Sequence, residues 1–166
     1  MKIYTKRGDT GQTDLLSKRV DKADLRIAVN GAIDEAMAFI LMCKHHVNDE
    51  TIVHDLDQLH GFLFSTAHEI ALDDEQQTVI TADMVTWIEG RIDDLDKRLE
   101  PLTRFIRLDG NKTASWINLA RVTVRRAERE LITLNKERPL NPLTLGLINR
   151  ISDYLFTLGR IVEMSH

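Results

Sequence analysis

Apolar residues recur every three or four positions along most of the chain, the spacing that gathers them on one face of an α-helix. Five stretches carry the pattern. The first runs from Leu25 to Val47, with Ile33, Met37, Ile40 and Leu41 as its stripe. The second runs from Glu50 to Leu72 and repeats Ile52, Leu56, Leu59, Leu63 and Ala67. The third runs from Ala82 to Leu99. Thr81 is placed to cap it, Asp83 in its first turn complements the helix dipole, and Pro101 stands just past its end. The fourth spans Lys112 to Leu134, with Ile117, Ala120, Val124, Ala127 and Leu131 on its inner side. The fifth opens on Asn141 as N-cap and Pro142 at the first helical position, where the ring presets the backbone angle. It continues through Leu145, Ile148, Ile151, Leu155 and Val162.

Long helices joined by short connections predict an all-α fold: a five-helix bundle, up-and-down with ferritin-like packing. Residues 73–75, all acidic, read as a loop between the second and third helices. Residues 1–24 break the helical period and contain Gly8, Gly11 and several β-branched residues. They read as an extended, ligand-facing arm, with residues 25–166 forming the bundle of one domain.

Composition adds limits. A chain of 166 residues, 43% hydrophobic and 29% charged, suits one soluble domain with a real core. No apolar run reaches the roughly 18 residues that span a bilayer, so no membrane partner is expected. Residues 1–13 have no apolar core of the signal-peptide kind, and Cys43 is a lone cysteine; both point to the cytoplasm. The net charge is −4, but residues 1–26 hold seven Lys/Arg against four Asp. A second basic cluster is Arg121, Arg125, Arg126 and Arg129. Local positive patches on an acidic chain suit a small anionic ligand, not a nucleic acid, which calls for a broad basic face.

Four places have chemistry to offer. In Thr5-Lys6-Arg7-Gly8-Asp9-Thr10-Gly11-Gln12-Thr13, two glycines let the backbone turn and bring N–H groups to an anion; Lys6 adds charge, and Thr10 and Thr13 add hydroxyls. The same residues also suit a plain surface turn. On the fourth helix Arg121, Arg125 and Arg129 are four apart and share a face, offering planar forks to phosphate oxygens. The alternative is a solvated charged face relieved by Glu128. Asp34 lies at the edge of the first helix's stripe, where a carboxylate calls for a partner such as a fourth-helix arginine, or points to water. Asn149 and Asp153, four apart, suit a ribose or base edge, or a polar cap on an apolar helix. Cys43, His45 and His46 lack a second cluster, and His54, His60 and His68 share no face, so no metal site is expected from side chains. Trp87 and Trp116 read as packing residues.

The order of these pieces is similar to one family. IYTKRGDTGQT at the start, NGAIDE at 30–35, ARVTVRRAERE at 120–130 and NRISDYLF at 149–156 together resemble the PduO-type ATP:cob(I)alamin adenosyltransferases. The resemblance implies an enzyme that transfers the 5′-deoxyadenosyl group of ATP to the Co(I) of cob(I)alamin. It implies a homotrimer with sites between subunits, ATP and cobalamin as substrates, and Mg²⁺ carried on the ATP phosphates. By position, Thr5, Lys6, Gly8, Asp9, Gly11, Thr13 and Lys22 match the ATP arm. Arg125, Glu128 and Asn149 match the helical side of the nucleotide site, and Arg121 matches an arginine paired with Asp34. Phe105 matches an aromatic residue beside the corrin, expected in an apolar shell that excludes water.

The chain departs from the family in four places. Phe105-Ile106-Arg107-Leu108-Asp109-Gly110 stands where the family reads FILPGG. Asp34-Glu35-Ala36-Met37-Ala38 stands for DELNS, and Ser17-Lys18 for a glycine pair. The sequence stops at His166, short of the C-terminal extension that covers the corrin in some members. These departures keep open a non-catalytic trimeric ATP-binding or cobalamin-handling module with a degenerate corrin site, and a bundle with neither activity.

Overall fold

A computed structural model describes residues 2–16, 18–72 and 77–164. The expected 73–75 loop and Ser17 lie outside them. Five helices form: α1 Leu25–Lys44, α2 Glu50–Ala71, α3 Ala82–Asp96, α4 Lys112–Glu137 and α5 Pro142–Met164. α1 packs on α2 and α4, α4 on α5, and α5 on α3. The core fills with Ile33, Ala36 and Ile40 of α1, Leu56, Leu59 and Leu63 of α2, Val124 and Leu131 of α4, and Ile148, Ile151 and Leu155 of α5. Ala36, Ala120 and Ala127 are fully buried, and such small side chains let α1 and α4 approach closely. Among the described residues, no helix is long and apolar enough to cross a membrane.

Local chemistry sets the helix ends. Asp24 caps α1 by accepting from the Arg26 N–H at 2.9 Å, and Asp49 caps α2 through Thr51 and Ile52. Asn141 caps α5, accepting from the Leu143 N–H at 3.0 Å. Thr81 precedes α3 but makes no side-chain cap bond. Several expected bounds move. α1 stops at Lys44, not Val47, and Leu41, expected in its stripe, is 38% exposed while Cys43 is buried. α3 stops at Asp96, three residues short of Leu99. α4 runs to Glu137, three residues further than expected. Nothing before Pro139 breaks it, and Arg138, ahead of the proline, is extended as that position requires.

The arm is more ordered than an extended tail. β1 (Gln12–Asp14) pairs antiparallel with β2 (Arg19–Asp21), Thr13 opposite Val20. Arg19 ties this hairpin together, donating to Gln12 Oε1 at 3.1 Å and Asp14 Oδ1 at 3.0 Å.

One interior feature escaped the reading of the sequence. Asp55 of α2, 1% exposed, accepts from Arg91 of α3 at 3.0 Å and from the Tyr154 hydroxyl of α5 at 2.7 Å. The Asp55 hydrogen bond raises the pKa of Arg91, and burial raises that of Tyr154 far above the ordinary phenol range. The network fixes α3, which buries only Ile88 and Leu95 among its described side chains. A signal was present: Ile52, Asp55, Leu56 and Leu59 sit at helical spacing, so a carboxylate falls within an apolar stripe.

Candidate active site

The arm turns where the glycines predict. Gly11 has φ +83° and Lys6 has φ 62°, a left-handed conformation that is uncommon and strained for a lysine. The Asp9 N–H donates to Lys6 O and the Gly11 N–H to Gly8 O, so these two donors are used within the turn. Among the described residues, the Gly8 and Thr10 N–H groups make no hydrogen bond, which leaves them for an anion. Lys22 Nζ donates to Gly8 O at 2.8 Å and its backbone N–H to Gly11 O at 2.9 Å, bracing the turn from behind. Thr5 Oγ1 accepts from the Arg7 N–H. Lys6 and Asp9 are exposed, and Thr13 is half-buried in β1.

The arginine face of α4 is graded. Arg121 is half-buried; its Nε and Nη2 donate to Asn118 Oδ1 at 3.1 and 2.9 Å, and its guanidinium lies 6.0 Å from the Phe156 ring centroid. Burial first, and the charge of Arg125 second, lower its pKa, though an arginine stays protonated. Arg125 is exposed and its guanidinium has no partner among the described residues. Arg126 pairs with Glu35 of α1, and Arg129 donates back to Arg125 O. Glu128 and Asn149 are joined across α4 and α5 by a 3.1 Å hydrogen bond. Arg150 donates to both Asn149 and Asp153, so these two expected neighbours share a cation.

Two expectations fail within one chain. Asp34 is exposed and makes no hydrogen bond or ion pair among the described residues, so the Asp34–Arg121 pair is not made. Arg121 turns to Asn118 because that acceptor lies one turn back on its own helix. Phe105 is 105% exposed, not sheltered in an apolar shell, since its loop runs over the outside of the bundle. Beneath that loop, Ile106, Arg107, Leu108 and Asp109 face Asn118, Arg121 and Phe156 across an open cleft of about 350 Å³. Arg107 and Asp109 pair with each other.

Residues 18 and 23–26 border a cleft with Leu134, Glu137 and Arg138 at the far end of α4. Leu134 is roughly 20 Å along the helix from Arg121, at about 1.5 Å per residue. Among the described residues, no hydrogen bond or ion pair links residues 2–24 to Arg121, Arg125, Glu128 or Asn149.

Cys43, His45 and His46 lie at the C-terminal end of α1. Burial pushes the Cys43 thiol up to about 12, and the His46 ring stacks on Trp116 at 5.8 Å. Trp87 packs edge-on against Phe62. Among the described residues, no three His, Cys, Asp or Glu side chains gather to hold an ion.

Comparison with known proteins meets this geometry. Residues 3–162 match the sequence model of the cobalamin adenosyltransferase family. The corrinoid adenosyltransferase of Bacillus subtilis is 35% identical over 98% of this chain and 87% of its own length. The corrinoid adenosyltransferase PduO of Salmonella typhimurium is 36% identical over 96% of this chain, which spans 49% of that longer protein. A variant of the PduO-type ATP:corrinoid adenosyltransferase of Lactobacillus reuteri, solved with cobalamin and ATP, superposes with a TM-score of 0.90 at 32% identity, covering 98% of this chain and 91% of that one. The chain belongs to the cobalamin adenosyltransferase family.

Proposed function

We propose that the protein transfers the 5′-deoxyadenosyl group of ATP to the Co(I) of cob(I)alamin, giving adenosylcobalamin and triphosphate. The observation that carries this reading is the Arg121–Arg125 row on α4, in a chain of this family. One guanidinium is held by Asn118 and Phe156, and the next, one turn on, is left open. In the reaction the Co(I) electron pair forms the Co–C5′ bond, the C5′–O bond breaks, and its pair leaves on the triphosphate. The protein's part is to hold the two reactants in line and to stabilise the departing charge. Lys6, the Gly8 and Thr10 N–H groups and Arg125 supply that stabilisation. Lys22 braces the turn, Thr5, Asp9, Gly11 and Thr13 shape it, and Glu128 with Asn149 holds the nucleoside. Phe105 stands beside the corrin.

The site is composite in this reading: the arm of one copy meets α4 and α5 of the next in a closed homotrimer. The lack, among the described residues, of any hydrogen bond or ion pair from the arm to Arg121, Arg125, Glu128 or Asn149 supports it, as do exposed Leu41 and Met42 on α1 and Leu119, Val122 and Ile132 on α4. Asp34 then finds Arg121 across the interface, and the neighbouring copy covers Phe105. Among the described residues no three acidic, His or Cys side chains gather, and Mg²⁺ in this reading is brought on the nucleotide phosphates with its own water. A cytoplasmic location completes the reading, since Cys43 is a free buried thiol.

The test is spectroscopic. With ATP, Mg²⁺ and chemically reduced cobalamin, the visible spectrum of adenosylcobalamin should grow in, and should not do so with Arg125→Ala. ATP binding by calorimetry without turnover contradicts the transferase reading.

A further inference from the structure

We infer that Gly159 and Glu163, in the last turns of α5, are positioning residues that latch the Phe105 loop and set the cleft in which the corrin is handled; the inference rests on the transferase reading above. Residues 102–111 contain no proline to preset their backbone, and no helix or strand includes residues 97–111. Something else must hold residues 102–111, and α5 does so at Leu108, Gly110 and Asn111. Leu108 is 5% exposed in the notch over Gly159: a methyl group built there would lie 2.8 Å from Leu108 Cδ1. The Gly110 N–H donates to Glu163 Oε1 at 2.7 Å. A methyl group on Gly110 would collide with Glu163 Oε2, so the loop backbone rests directly on the carboxylate. Asn111 Nδ2 donates to Val162 O at 3.1 Å while its Oδ1 caps α4 through the Ala114 N–H at 2.9 Å.

Positions 159, 162 and 163 are three and four apart, so all three contacts fall on one face of α5. Arg107 and Asp109 pair across the buried Leu108, closing the loop over its own anchor. Phe105 is three residues upstream of that anchor, within roughly 11 Å by chain length. Leu108 also lines the cleft whose other wall is Asn118, Arg121 and Phe156. The latch therefore fixes where the Phe105 loop stands relative to Arg121, and it does so without touching either reactant.

The test uses the full chain and the variants E163A and E163Q. E163A removes the acceptor, and E163Q keeps a carbonyl oxygen in its place. In E163A, amide exchange at Gly110 should quicken about tenfold, the scale of one lost hydrogen bond to a charged group. KM for cob(I)alamin should rise about tenfold, while KM for ATP and the melting temperature stay near wild type. E163Q should stay within about twofold of wild type in both readouts, because a neutral hydrogen bond is retained. G110A should mimic E163A, and the double variant G110A/E163A should be no worse than either alone, since both break one contact. An unchanged cobalamin KM in E163A, an equal rise in the ATP KM, or unchanged exchange at Gly110 overturns this inference alone, provided the wild type turns over. A wild type that forms no adenosylcobalamin overturns the transferase reading and this inference with it.

Discussion

Asp55 on α2 and Asp34 on α1 are both carboxylates on bundle helices, and the fold treats them in opposite ways. Asp55 is buried and accepts from Arg91 and Tyr154, so its charge is matched inside one chain. Asp34 is exposed, and among the described residues nothing in its own chain binds it. The same division separates the arginines. Arg91 is committed to Asp55 and Asp94, whereas Arg125 is left open on the surface of α4. Asp55 and Arg91 are satisfied within the chain, because a buried unmatched charge is costly. Asp34 and Arg125, which in the proposed reading meet a partner copy and a ligand, stay solvated and unmatched among the described residues.

The largest effect expected from this contrast is at Asp55. Asp55→Ala strands Arg91 and the buried Tyr154 hydroxyl, and should lower the unfolding free energy in urea by about 3 kcal/mol or more. A loss below about 1 kcal/mol would break the comparison at its structural end. Arg125→Ala comes next. Losing one preorganised charge should cut kcat/KM about 100-fold while the urea midpoint stays put. A matching fall in stability would mean that Arg125 belongs with Arg91.

A smaller effect concerns pH. Hydrogen bonds from Arg26 hold the Asp24 carboxyl down to about 2, below the ordinary range of an aspartate. A depressed folded pKa adds stability that is fully present above about 4 and is lost as pH falls through about 2. Asp24→Asn should therefore cost about 1–2 kcal/mol at neutral pH and flatten the stability slope between about pH 4 and 2. An unchanged slope would detach Arg26 from that carboxylate. Smallest is Asp34→Ala, which should change the stability of the folded chain by less than about 0.5 kcal/mol, as for any exposed unpaired residue. By sedimentation, the same variant should show weaker assembly.

The helices were legible because their apolar period is long and regular, and Asn141-Pro142 marked the α5 start to the residue. The α4 end is not legible in the apolar period because Asn135, Lys136 and Glu137 carry no apolar signal, although nothing before Pro139 stops a helix. Asp55 could be read only by asking why a carboxylate sits between Ile52 and Leu59. The hairpin of the arm is three residues to a strand, too short for alternation to register. The candidate site residues stand out in the sequence by motif and order, but how they would come together does not. In the proposed trimer Asp34 meets Arg121, and the arm meets Arg125, across copies, and a single chain's pattern says nothing of which copy supplies each half. The Leu108–Gly159 and Gly110–Glu163 contacts link positions about 50 residues apart, which no local spacing reveals.

The central claim is that each site takes its arm from one copy and its arginine from another. The most direct measurement mixes two disabled variants, Lys6→Ala in the arm and Arg125→Ala in α4, by co-expression at equal levels. Each alone should form almost no adenosylcobalamin. In a closed ring of head-to-tail contacts, about a quarter of the interfaces then join an intact arm to an intact α4, so the mixture should regain about a quarter of wild-type activity. Mixed assemblies that stay as inactive as their parents would contradict the account.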